Sequence, residues 1–247
     1  MDESSMDGFN VKRPEHGNPF ADAGSIPVST VKANMIGDRK MRVLGVCGSP
    51  RRHGNTQIML EKVLQVCEEA GAETEFLFLR DYDIKPCDAC ETCGRHKKCH
   101  IKDDLHLVLP KLWAADGIVI GSPVYGMGVS AHTRLLLDRV SGFHAAWMSG
   151  QDGKDGPGFT RTVGGAVLAA GRVGGSLAWS SLVAEFSLDQ WIIGGAAFGY
   201  GWDKGEVLKD QAGMWEAGEL GRRMVRTINL VNGGGWETEV RIESMTL

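Results

Sequence analysis

Residues 41–71 read MRVLGVCGSPRRHGNTQIMLEKVLQVCEEAG, and this stretch decides the fold. Met41–Cys47 is a short, mostly apolar run with Val43, Leu44 and Val46 at its centre, the pattern of a buried strand. Thr56–Gly71 carries apolar residues at helical spacing and stops at Gly71. The chain therefore runs strand, loop, helix, and the same unit recurs downstream. Strand signals fall at residues 72–80, 117–126, 162–171 and 191–199, and helical signals at 103–115, 131–140, 176–186 and 214–231. Pro110 sits inside the second helical segment and predicts a kink there. Five strands alternating with helices predict an α/β fold, a doubly wound parallel sheet with helices on both faces.

Composition narrows the class. Of 247 residues, 43% are hydrophobic and 23% charged, which is globular, and the chain is long enough to bury a large core. A net charge of −4 gives no reason to expect nucleic acid as a partner. No apolar run reaches the ~18 residues of a membrane span. The acidic, polar start is unlike a secretory signal, so the expected location is cytoplasmic and reducing. Residues 1–40 lack apolar periodicity and read as an arm or disordered tail. Residues 41–232 form the expected domain, with a cysteine loop at 84–102, and 233–247 read as a tail. The Gly- and Asp-rich segment 149–160 reads as a surface loop near the site. The 34 glycines, roughly twice the usual share of about 7%, suggest turns where backbone approaches a ligand.

The first loop, CGSPRRHGNT (Cys47–Thr56), opens a helix, and amides at a helix N-terminus bind anions. It is not a Walker A loop: five residues separate Gly48 and Gly54, and Asn55 stands where lysine is needed. The dinucleotide pattern G-x-G-x-x-G is also absent. What remains is a set of donors, Ser49, Arg51, Asn55 and Thr56, suited to a single phosphomonoester such as that of FMN. His53 lies in the same loop. Two further glycine-bearing loops follow strands three and four. One, GSPVYGMGVSA (Gly121–Ala131), offers Pro123, Tyr125, Gly126 and Gly128; the other, AAGRVGGS (Ala169–Ser176), carries Arg172. In a sheet of order 2-1-3-4-5 these loops share the carboxyl edge, where the topology switches and FMN binds.

Four of the six cysteines lie in KPCDACETCGRHKKCH (Lys85–His100), after strand two. Cys87, Cys90, Cys93 and Cys99 have the spacing C-x2-C-x2-C-x5-C, which resembles a ferredoxin run with a longer last gap and no following proline. Three thiolates two residues apart can wrap three irons of one cubane, so the spacing favours a [4Fe–4S] cluster. Zinc with help from His96 or His100, and reversible thiols beside Arg95, Lys97 and Lys98, stay as alternatives. Cys47 and Cys67 read as plain core residues. His132 and His144 read as packing or exposed positions.

Together, GSPRRHGNT, ADGIVIGSPVYGMGVSAHTRLLLDR and AAGRVGG resemble the NADPH-dependent FMN reductase family, whose fold is flavodoxin-like. The cysteine segment with the following IKDDL resembles its iron–sulfur flavoprotein branch. The match covers roughly Arg42 to Leu230. It implies that Ser49, Arg51, Asn55 and Thr56 take the FMN phosphate and that Pro123, Val124, Tyr125 and Gly126 border the isoalloxazine. Ala170, Gly171, Arg172, Gly174 and Gly175 would close over it. Relatives often carry an aromatic residue where this chain has Gly126, and Gln-Glu where it has Ser176-Leu177. The resemblance further implies an FMN-dependent oxidoreductase fed by reduced ferredoxin or NAD(P)H, passing electrons to a small-molecule acceptor. It implies a homodimer or homotetramer in which one chain's cluster lies near a neighbour's flavin. The alternatives kept beside it are a reductase without a cluster and a redox sensor. No side chain is assigned as an obligatory acid or base.

Overall fold

The computed structural model describes residues 35–36, 39–96, 98–148, 159 and 161–233. Most of the stretch expected as an arm, nearly all of the loop at 149–160, and the tail beyond Gly233 lie outside these residues. The sheet strands are β1 (Arg42–Cys47), β2 (Glu73–Phe78), β3 (Gly117–Pro123), β4 (Val163–Ala170) and β5 (Ile192–Tyr200). All neighbours are parallel, in the order β2-β1-β3-β4-β5. This is the doubly wound, flavodoxin-like order that the sequence predicts.

The helices are α1 (Asn55–Glu69), α2 (Thr92–His96), α3 (Leu105–Ala114), α4 (Ala131–Met148), α5 (Gly175–Leu188) and α6 (Gln211–Asn232). Alternate strand residues face opposite sides, so β1 divides its apolar side chains between two cores. Val43 and Cys47 pack with α1 and α6, against Met59, Leu60 and Met224. Leu44 and Val46 pack with α3, α4 and α5, against Leu109, Leu136 and Leu182. Every residue of β3 and β4 is buried, as expected for central strands covered on both faces.

Three local expectations shift. Helix α4 runs to Met148, whereas the sequence signal ends at Val140, before Ser141-Gly142. Gly142 receives the Cys93 thiol on its carbonyl, and Phe143 is buried in the second core. Those contacts outweigh the weak local propensity. Helix α3 continues through Pro110, whose missing N–H leaves the His106 carbonyl without its helical donor. At the end of the expected arm, Met35–Ile36 pairs antiparallel with Arg39–Lys40. The Arg39 guanidinium grips Asp116 through two bonds of 2.7 and 2.8 Å, tying this stretch to the start of β3. Among the described residues no helix is long and apolar enough to cross a membrane.

Candidate functional site

The carboxyl edge of the sheet is built by short bonds between loops. Gly48 N–H donates to Gly121 O at 2.7 Å, Val124 N–H to Ala169 O at 2.8 Å, and Gly201 N–H to Ala170 O at 3.0 Å. The Ser130 hydroxyl donates to Gly48 O at 2.6 Å and stands 3.0 Å from Thr133 Oγ1. A Cβ on Gly48 would fall 1.9 Å from that Thr133 oxygen, so glycine lets the first loop lie on the start of α4. Tyr125 and Gly128 exchange two backbone bonds of 3.0 Å around Gly126 and Met127 at φ 55° and 66°. Both central residues are left-handed, the hallmark of a type I′ turn. An aromatic residue in place of Gly126 would carry the strain that glycine avoids there.

A cleft of about 220 Å³ opens between these loops. Of the residues that the resemblance assigns to FMN, Ser49, Arg51, Asn55, Thr56, Pro123, Val124, Tyr125 and Gly171 line it. Gly126, Ala170, Arg172, Gly174 and Gly175 are not in its wall. Two of these have packing roles. A Cβ on Gly175 would meet Phe198 at 2.8 Å, and Gly174, at φ 95°, seats Met127 and Val124. A larger groove of about 510 Å³ lies by Arg42 and Glu73, at the opposite ends of the strands. Sequence reasoning missed the loop after β5: Gly201, Trp202 and Lys204 also line the cleft. The three glycines of GYGWDKG after a strand signal were the available clue.

The first turn of α1 faces this cleft. Gly54 is its N-cap and supplies no capping side chain, so the first-turn amides are left for an external acceptor. A Cβ on Gly54 would stand 3.1 Å from Arg51 O and crowd the cradle. Ser49 is buried and its Oγ accepts the Arg51 N–H at 3.1 Å, which shapes the loop. Asn55 plays an unexpected part. Its Nδ2 donates to Gly201 O and Asp203 O, both at 2.9 Å, and its Oδ1 accepts from Val207 N–H at 3.3 Å. Both side-chain amide hydrogens are thus spent on the loop after β5. What Asn55 offers an anion is its backbone N–H. Trp202 is 73% exposed at the rim, yet its ring packs so closely on Gly171 that a Cβ there would come within 2.5 Å. Uncapped amides, the cations Arg51 and Lys204, and an aromatic border of Tyr125 and Trp202 fit a phosphate joined to a flat ring.

The second constellation lies between β2 and α3. Cys87 and Cys90 are exposed, whereas Cys93 and Cys99 pack against the second core. Ala89 and Glu91 adopt φ 55° and 58°, at a cost of order 1 kcal/mol each, and alternate with the cysteines. This backbone turns the Ala89 N–H toward the Cys87 sulfur at 3.4 Å. Arg139 Nη2 donates to the Cys99 sulfur at 3.2 Å. The Asp88 carboxyl is held below its usual range, first by the Cys90 thiol and further by His100, whose ring nitrogen is 2.7 Å away. Among the described residues, Asp88, Cys90 and His100 are the metal-ligating trio with atoms within 4.8 Å of one another. Among the described residues, no three of the four cysteine sulfurs lie within 4.8 Å of one another. A cubane takes one thiolate at each of four irons, and the loop carries four cysteines, two exposed and two half-buried. Cys47 and Cys67 differ in kind: burial pushes both thiols up to about 12, which leaves them inert.

Comparison with known proteins agrees with this geometry. Residues 41–203 match the model of the NADPH-dependent FMN reductase family. An iron–sulfur flavoprotein of Methanocaldococcus jannaschii is 34% identical over 203 residues, covering 77% of this chain and 99% of that protein. One from Archaeoglobus fulgidus is 38% identical over 160 residues, covering 64% of this chain and 77% of that protein. Among solved structures, RosB with bound 8-demethyl-8-formylriboflavin-5′-phosphate superposes with a TM-score of 0.61 at 19% identity, covering 78% of this chain and 79% of RosB. An NAD(P)H:quinone oxidoreductase of Methanothermobacter marburgensis gives 0.56 at 14% identity, covering 74% and 98%. At these identities the superpositions establish the fold alone. The fold, the loops at its carboxyl edge and the relatives converge: this chain belongs to the NADPH-dependent FMN reductase family, among its iron–sulfur flavoproteins, and is an FMN-dependent oxidoreductase.

Proposed function

We propose that the protein relays electrons between FMN in the carboxyl-edge cleft and a [4Fe–4S] cluster on Cys87, Cys90, Cys93 and Cys99. The donor is reduced ferredoxin or NAD(P)H, and the acceptor a small molecule such as a quinone or free flavin. Bound, the flavin supplies one- and two-electron exchange and the cluster one-electron exchange. The chain's own part is to hold and orient both. The uncapped first turn of α1 with Arg51 and Lys204 holds the phosphate, Pro123–Tyr125 and Gly171 border the ring, and Trp202 shields its rim. The observation that carries this reading is the pairing of that cradle with a strained four-cysteine loop after β2, the neighbouring strand.

Helix α4 bears on how the two centres meet. It starts beside the cleft at Ala131, yet the Cys93 sulfur lies 3.4 Å from the Gly142 carbonyl, eleven residues on and about 16 Å along the axis at 1.5 Å per residue. That separation within one chain supports a homo-oligomer in which the cluster of one copy serves the flavin of another. Anaerobic mixing with NADPH, NADH or reduced ferredoxin, followed at the flavin and cluster absorbances with a quinone as acceptor, tests the relay. Rapid bleaching of both centres by one of these donors and quinone turnover are expected. Failure of all three donors to reduce a protein loaded with both cofactors would rule the relay out.

A further inference from the structure

One buried ion pair closes the cysteine loop at both ends. Arg139 on α4 and Asp103 just before α3 meet at 2.6 Å, with side chains 2% and 1% exposed. Arg139 Nη1 also donates to the Lys85 carbonyl at 2.7 Å, and Nη2 to the Cys99 sulfur at 3.2 Å. Asp103 in turn accepts the Lys85 N–H at 3.0 Å and the Leu105 N–H at 3.1 Å. The segment entering the loop and the cysteine that ends it therefore share one guanidinium. Stability alone does not explain such a pair, because a buried pair can often be exchanged for apolar residues at no loss. Apolar residues would not provide a charged fork whose second nitrogen is aimed at a sulfur.

We propose that Arg139, anchored by Asp103, is a positioning residue that sets the redox poise of the cluster through Cys99. The inference rests on the cluster reading above. Reduction adds one electron to the cluster, with no bond made or broken and no proton required. Part of the added charge spreads onto the thiolate sulfurs, where a hydrogen bond from a cation strengthens. Hydrogen bonds to sulfur are among the levers by which proteins tune cluster potentials. The guanidinium therefore favours the reduced state and raises the potential. The planar fork also fixes Cys99 relative to Lys85, a task that the point charge of lysine performs less well.

Removing Arg139 alone would leave Asp103 buried without its partner and would confuse redox tuning with folding. The test is R139Q/D103N, a neutral pair that keeps hydrogen-bonding groups, alongside R139K. Iron, sulfide and FMN are counted, and the cluster potential is read by anaerobic titration with optical and EPR detection; FMN content reports on the fold. R139Q/D103N is expected to keep FMN and to titrate at lower potential. At a fixed ambient potential its oxidised-to-reduced ratio should rise at least about tenfold, equivalent to 59 mV for one electron, with R139K in between. A double variant with full iron and the wild-type potential overturns the inference. If the double variant loses iron but keeps FMN, R139K decides: a lowered potential upholds the role, and an unchanged one overturns it. A wild-type chain that takes up no iron overturns the cluster reading together with this inference.

Discussion

Replacement of Asn55 by alanine separates two ways of holding the phosphate loop. The sequence suggests a side chain that donates to the phosphate. In the structure that side chain makes three bonds to the segment Gly201–Val207, across a sequence separation of up to 152 residues. A net hydrogen bond contributes about 1 kcal/mol, and the one to Asp203 is exposed and worth less. N55A should therefore destabilise the FMN-free protein by about 2 kcal/mol, or roughly 4–8 °C in Tm at about 2–4 °C per kcal/mol for a domain of this size. FMN affinity should fall about tenfold, because binding must then reorder the loop that carries Trp202 and Lys204, at a cost of ~1.4 kcal/mol. Thermal unfolding of the flavin-free protein and fluorescence titration with FMN measure the two effects. An unchanged apo Tm with a hundredfold loss of FMN affinity would show that Asn55 acts on the ligand rather than on the loop.

Three further outcomes follow from the geometry. Among the described residues neither carboxylate oxygen of buried Asp189 has a well-formed hydrogen bond, and burial, with Glu185 nearby, pushes its carboxyl up to about 7 against the weaker pull of Ser141 and Arg134. Its raised value means that the folded state binds the proton more tightly, so stability present near pH 4 is lost as pH rises through 7. The loss is up to about 4 kcal/mol, and urea unfolding of D189N should show it removed, with a gain above pH 7. G48A should clash with Thr133 Oγ1, costing about 1–3 kcal/mol and weakening FMN binding, and T133A should restore much of both in the same assays. C99S should lose bound iron, whereas C67S, at a buried thiol pointing to the Gly221 carbonyl, should keep both iron and FMN by chemical analysis.

The sheet was legible because its signals are local. Apolar runs such as Ile118–Ile120 and the alternation of strands with amphipathic helices state the order of elements without any knowledge of contacts. Eight of the expected site residues line the cleft for the same reason, since strand ends and helix starts fix where loops fall. The rest depended on partners distant in sequence. Asn55 looks like a phosphate donor until Gly201 and Asp203 claim its hydrogens. Gly174 and Gly175 read as ligand contacts, and the structure adds a packing reason for them, since their missing side chains make room for Met127 and Phe198. Ser141-Gly142 looks like a helix end until Cys93 and the second core extend α4 through it. Arg139 reads as one more helix arginine, and its role emerges only where Asp103, Lys85 and Cys99 meet it.

The central claim is that one chain carries a flavin cradle and a four-thiolate cluster loop, and its cofactor content tests this most directly. Protein purified without oxygen should contain, per chain, one FMN, four irons and four acid-labile sulfides, and should take up three electrons in a reductive titration, two at the flavin and one at the cluster. One zinc per chain with no iron, or a two-electron uptake with FMN alone, would contradict the cluster on Cys87, Cys90, Cys93 and Cys99.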